Sequence, residues 1–138
     1  MKILGIDFGT KRIGLAISDD EGSFAFPLKT IENNQNSIEE IYQLIQERGV
    51  QRVVLGDPGS DEFVQDTRVK ILAFKEKLET SGISVVLQNE SMTSLNSDLF
   101  GNKKPIARKW GTQRKEKKDE SAAALILQRY LDGMNMKK

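Results

Sequence analysis

The chain has 138 residues, 38% of them hydrophobic and 30% charged, with Lys plus Arg at 21, Asp plus Glu at 20 and a formal net charge of +1. Those values fit one globular domain, residues 1–138, rather than a disordered segment, and no apolar run nears the ~18 residues of a membrane span. With no His and no Cys there is no Ser-His-Asp triad, thiol nucleophile or His/Cys zinc site. Chemistry falls to carboxylates, Lys, Tyr and hydroxyls. A hydrolase built from these can use carboxylate-bound Mg²⁺ or Mn²⁺ to activate water. Composition alone fits a non-enzyme equally well. The absence of Cys and of a signal-peptide core suits a cytoplasmic protein.

The first elements are read in residues 3–18, ILGIDFGTKRIGLAIS. Two apolar runs flank a short Gly-containing turn, the pattern of a β-hairpin. Asp7 sits within the first run, although carboxylates are depleted in strands. Residues 24–31 read as a third strand, with Pro27 pointing to an edge or bulged position. Ser37 and Glu40 have the spacing of a capping box before Ile38, Ile41, Leu44 and Ile45, which share one helical face. Gly49 is placed to end that helix.

Val53, Val54 and Leu55 form a short buried strand, with 56–60 as a loop. A second helix follows, with Val64, Ile71, Leu72 and Leu78 facing inward. Residues 83–87 form another buried strand that runs into Gln88, Asn89 and Glu90. A short helix is expected over 93–100, and 101–118 shows no periodicity. From Asp119, the residues Ala122, Ala123, Ile126, Leu127, Tyr130 and Leu131 make the apolar stripe of a final helix. The order β-β-β-α-β-α-β-α-α implies an α/β fold. Three antiparallel leading strands precede parallel strands joined by right-handed crossovers, in a mixed five-stranded sheet flanked by helices.

Ligands of such sheets tend to bind beyond the C-terminal ends of the parallel strands. Asp7 lies late in the first strand, Glu90 just past the strand 83–87, and Asp119 starts the last helix after a long loop, from which it can reach them. If the first and last strands are neighbours, the three carboxylates converge, and such a cluster needs a cation. Each also has a plain structural reading. Asp119 suits a helix N-terminus, Glu90 a solvated loop, and Asp7 a hydrogen bond to the following turn.

The chain resembles the RuvX (YqgF) family of RNase H-like nucleases, described as Holliday junction resolvases or pre-16S rRNA processing nucleases. The resemblance rests on ILGIDFGTKRIGLAISD, VVLGDP and DESAAALILQRYLD and spans nearly the whole chain. It implies an RNase H-like fold and phosphodiester hydrolysis with one or two Mg²⁺ or Mn²⁺ ions. The family's acidic residues carry over to Asp7, Glu90 and Asp119. Where the family pattern has D-E-R-L-T-T, this chain has Asn89-Glu90-Ser91-Met92-Thr93-Ser94, so Asn89 and Ser91 depart from it. On this reading Gly9 lets the backbone approach a phosphate, and Thr10 and Lys11 donate to it.

The 101–118 segment holds eight Lys or Arg against Glu116 alone, a net +7, which leaves −6 for the remainder of the chain. Arg108, Lys109, Arg114 and Lys115 are expected to hold phosphates, with Trp110 stacking on an unpaired base. A solvated charge run with Trp110 tucked onto the core is the bland alternative. The expected partner is nucleic acid, RNA or branched DNA, with no membrane, acted on by a monomer or homodimer. A nucleic-acid-binding module with weakened catalysis is the alternative raised by the changes around Glu90. An actin- or sugar-kinase-like ATPase shares a D-x-G-T loop, but that architecture needs two such domains.

Overall fold

A computed structural model describes residues 1–58, 65–89 and 118–136, with the backbone alone at Lys118, Asp119 and Met136. Among them are five strands and three helices: β1 Lys2–Phe8, β2 Arg12–Ser18, β3 Ala25–Glu32, α1 Ser37–Arg48, β4 Val50–Asp57, α2 Gln65–Glu79, β5 Ser84–Asn89 and α3 Lys118–Met136. They form one five-stranded sheet in the order β3-β2-β1-β4-β5. The first three strands pair antiparallel, and β1-β4 and β4-β5 pair parallel. The expected mixed sheet is therefore present. The expected short helix over 93–100 lies outside the described residues.

Each face of the sheet buries its own cluster, because side chains alternate along a strand. Leu4, Ile6, Ile13, Leu15, Val53 and Leu55 point to the face covered by α1 and α2. Ile3, Ala16 and Val54 point to the face covered by α3, against Ala123, Ile126, Leu127 and Leu131. Each fully buried aliphatic side chain contributes about 1.5–3 kcal/mol. The stripe expected on α3 is largely present, but Ala122 and Tyr130 are only half-buried.

Several local expectations are refined. Pro27 does lie on an edge strand, beside a register shift in the β2-β3 pairing. Ser37 is no capping box. The N-cap of α1 is Asn36, which makes no side-chain cap bond. The Ser37 hydroxyl instead accepts from the Asn34 N–H at 2.8 Å and donates to the Glu32 carbonyl at 2.9 Å, so the preceding connection has claimed it. Gly49 ends α1 in the left-handed region, at φ 66°. In α2 the buried residues are Ile71, Phe74 and Leu78, while Leu72 is exposed. Val64 lies outside the described residues.

Hydrogen bonds fix the direction of α3. Arg52 donates to the Tyr130 hydroxyl at 2.7 Å, and Arg52 pairs with Ile3 near the start of β1. Gln128 accepts from the Ala25 N–H at 2.9 Å and donates to the Ser23 carbonyl at 3.0 Å. The C-terminal half of α3 thus lies over the N-terminal end of β1. At the same end, Asp19 ties the β2-β3 turn. The Ser23 N–H at 2.7 Å, helped by that of Phe24, holds its carboxyl below the usual carboxylate range.

Candidate functional site

Since α3 runs antiparallel to β1, its N-terminus lies at the C-terminal edge of the parallel strands. Asp7 is the penultimate residue of β1, half-buried, and shares the α3 face with Ile3 and Gly5. The helix can come close there because position 5 has no side chain. A Cβ at Gly5 would lie 2.7 Å from Leu127 Cβ and 3.0 Å from the Ala123 carbonyl oxygen. Asp119 precedes Ala123 by four residues, one helical turn. The backbone of Asp119 is thereby brought to the strand edge that holds Asp7.

The neighbours of Asp7 across the sheet are both glycines. Gly14 of β2 pairs with it directly. In β4 the register runs Gly5 with Val54 and Ile6 with Leu55, so its next step puts Gly56 beside Asp7. Both glycines are buried. At these two positions the flanking strands place no side chain beside the carboxylate. A carboxylate oxygen donor at a strand end, flanked by two glycines, fits a hard divalent cation such as Mg²⁺ or Mn²⁺.

The turn after β1 is built tightly. A Cβ at Gly9 would collide with the Arg12 carbonyl oxygen. Asn33 clamps this turn from the β3-α1 connection: its side-chain amide donates to the Gly9 carbonyl at 2.7 Å, and its N–H donates to the Lys11 carbonyl at 3.0 Å. Thr10 and Lys11 are both exposed at the rim. Sequence reasoning misses Asn33. An Asn in a turn has many ordinary explanations, and a partner 24 residues away leaves no local pattern.

One expectation about the carboxylates is corrected. β1 and β5 are not neighbours, because β4 lies between them. Glu90 itself, together with Arg108, Lys109, Trp110, Arg114 and Lys115, lies outside the described residues, as does the side chain of Asp119. Among the described residues no three acidic groups converge on one point. A further carboxylate does reach this edge. Asp57 is the last residue of β4, not part of a loop, and pairs with Asn89 of β5. By alternation Asp57 faces α2, and Arg68 of α2 meets it at 3.1 Å, on the face opposite to Asp7.

The model of the family described as "RuvX: Holliday junction resolvase" matches residues 1–133. The chain belongs to the RuvX family. It is 37% identical over 142 residues to the "Putative pre-16S rRNA nuclease" of Thermoanaerobacter pseudethanolicus, covering 99% of this chain and 100% of that one. To the protein of the same name in Bacillus subtilis it is 33% identical, covering 98% and 100%. Among solved structures, the fowlpox virus resolvase in complex with Holliday junction DNA superposes with a TM-score of 0.58 at 14% identity, covering 97% of this chain and 99% of that chain. Thermus thermophilus RuvC in complex with a Holliday junction superposes at 0.50 with 12% identity, covering 66% and 67%. These likenesses establish an RNase H-like fold for this RuvX member. The family and its named relatives are nucleases, enzymes of ester-bond hydrolysis.

Proposed function

We propose that this chain hydrolyses phosphodiester bonds in structured nucleic acid, using one or two divalent cations held by Asp7, Glu90 and Asp119. The substrates proposed are the 5′ end of pre-16S rRNA, a Holliday junction, or both. The observation that carries this reading is the setting of Asp7. It stands at the C-terminal edge of the parallel strands, between two glycines, with the N-terminus of α3 at the same edge. A strand that ends there holds its ligand rigidly.

A divalent cation, when bound, lowers the pKa of water and offsets charge on the phosphate oxygens. The remaining work belongs to the chain. Gly9 lets the strand approach the backbone of the turn, and Thr10 and Lys11 donate to a phosphate oxygen. The basic residues Arg108, Lys109, Arg114 and Lys115 hold phosphates further along, and Trp110 stacks on an unpaired base. The protein works as a single domain in the cytoplasm, as a monomer or homodimer.

Cleavage of a panel of pre-rRNA fragments, branched DNA and single strands tests this, with Mg²⁺, Mn²⁺ or EDTA and with Asp7→Asn as control. Activity that survives EDTA would sink the metal reading. A second reading is favoured by Asn89 and Ser91 on either side of Glu90. On it the chain binds nucleic acid and cleaves weakly. Tight binding without metal-dependent cleavage would select it.

A further inference from the structure

A cleft opens on the face of the sheet opposite to Asp7, beside the same turn. It has a volume of about 380 Å³, within the range of ligand clefts. Its floor is aromatic. Phe8 and Phe74 meet with ring centroids 5.1 Å apart at 56°; Phe74 is nearly buried and Phe8 half-buried. Its rim is cationic and polar: Lys70 and Lys77 of α2, Thr10 of the β1-β2 turn, and Asn34 before α1.

The charges on its lining are one-sided. No acidic residue is among the described residues that line the cleft. Elsewhere on α2, Lys75 is paired with Glu79 and Arg68 with Asp57, whereas Lys70 and Lys77 have no acidic partner among the described residues. Seven residues apart, the two lysines share one helical face about 10 Å apart along the axis. The N-terminus of α1 also opens here without a side-chain cap, with Glu39 and Glu40 in its first turn. This happens in a chain that is net −6 outside 101–118. An aromatic floor under a cationic rim matches a base joined to a phosphate, better than it matches a bare anion or an apolar ligand.

The cleft is also tied to the Asp7 site. Asp7 and Phe8 are consecutive and point to opposite faces of one strand edge. Thr10 belongs to the turn between them and the solvent, and Asn33 locks that turn to the wall of the cleft. We propose that the cleft takes one nucleotide of the substrate strand, which crosses turn 9–11 from the Asp7 face to the α2 face. The identity of the strand rests on the nuclease reading; the binding of a nucleoside phosphate does not.

The test is an amide NMR titration of the full chain in EDTA. The probes are adenosine 5′-monophosphate, adenosine, inorganic phosphate and a short single-stranded oligonucleotide. The monophosphate and the oligonucleotide should shift the amides of Thr10, Asn34, Gln35 and Ile38, with the oligonucleotide binding tighter. The K70E/K77E variant should lose both sets of shifts. Its oligonucleotide affinity should depend less on salt, the slope falling by about 1.4, or about 0.7 for each phosphate no longer neutralised. Because both lysines are exposed, the variant should keep its melting temperature; K70Q/K77Q serves if the reversal does not fold.

Shifts that fall elsewhere, that survive both variants, or that adenosine alone reproduces would overturn the proposal. So would a free monophosphate that binds as tightly as the oligonucleotide. Cleavage by the wild-type chain is read in parallel. Cleavage without cleft shifts removes the cleft alone, and cleft shifts without cleavage remove the nuclease reading alone.

Discussion

Gly5 of β1 and Leu127 of α3 lie so close that a single methyl would not fit between them, since a Cβ at position 5 would sit 2.7 Å from Leu127 Cβ. This approach seats the helix on the sheet, and the helix carries Asp119 to the edge that holds Asp7. Gly5→Ala should therefore cost about 1–3 kcal/mol by overpacking, read as a lower midpoint in urea. Ala123→Leu should cost a similar amount, since Ala123 is 0% exposed. If both variants melt like the wild type, the helix yields easily, and its seat does not fix Asp119.

Asp7→Asn keeps the size of the side chain and removes its charge. Cleavage should fall on the order of 10²-fold or more, the scale seen when a preorganised charge-stabilising group is lost. The circular dichroism spectrum should not change, and binding of nucleic acid in EDTA should persist. A variant that still cleaves at the wild-type rate in Mn²⁺ would remove Asp7 from the chemistry.

The strands are legible in the sequence because short apolar runs bounded by turn residues are a local signal. ILGIDF and RIGLAIS declare themselves, and Pro27 marks the edge. Strand order is harder. β4 and β5 both read as short apolar runs, but in β4 Val53, Val54 and Leu55 are all 0% exposed, while in β5 only Val85 is buried. That contrast distinguishes a central from an edge strand, and it comes from packing rather than from composition. Asp7 stands out by breaking the strand pattern. Gly14 and Gly56 do not, since a strand glycine explains itself only once the neighbour across the ladder is known. Leu72 reads as inward in place of Phe74 because α2 has apolar residues on more than one side, so periodicity does not choose between them.

The basic segment should set affinity rather than rate. Replacing Arg108, Lys109, Arg114 and Lys115 with Ala removes four of the eight cations in 101–118. Nucleic-acid binding should weaken and its salt dependence should flatten, by roughly 0.7–0.9 in slope for each phosphate no longer neutralised. Cleavage at saturating substrate should fall far less than in Asp7→Asn. Binding as tight as wild type with the same slope would exclude this segment from the interface.

Asn33 supplies the sharpest test of the turn. Its side-chain amide donates to the Gly9 carbonyl at 2.7 Å, and its N–H donates to the Lys11 carbonyl at 3.0 Å. Asn33→Asp is nearly isosteric, yet its carboxylate offers no proton to Gly9, so the carbonyl loses its donor and meets a negative charge. Asn33→Ala removes the donor without the charge. The loss of one such bond costs about 0.5–1.5 kcal/mol of stability. The functional effect should exceed that, because Thr10 and Lys11 hang on the same turn and a phosphate must find their donors in place. Both variants should raise KM for a nucleic-acid substrate, Asp more than Ala, while kcat falls less. That order separates a held turn from general loosening, since a merely structural loss would follow melting temperature in both variants alike. Equal KM values in wild type, Asn33→Ala and Asn33→Asp would show that the substrate does not depend on this turn.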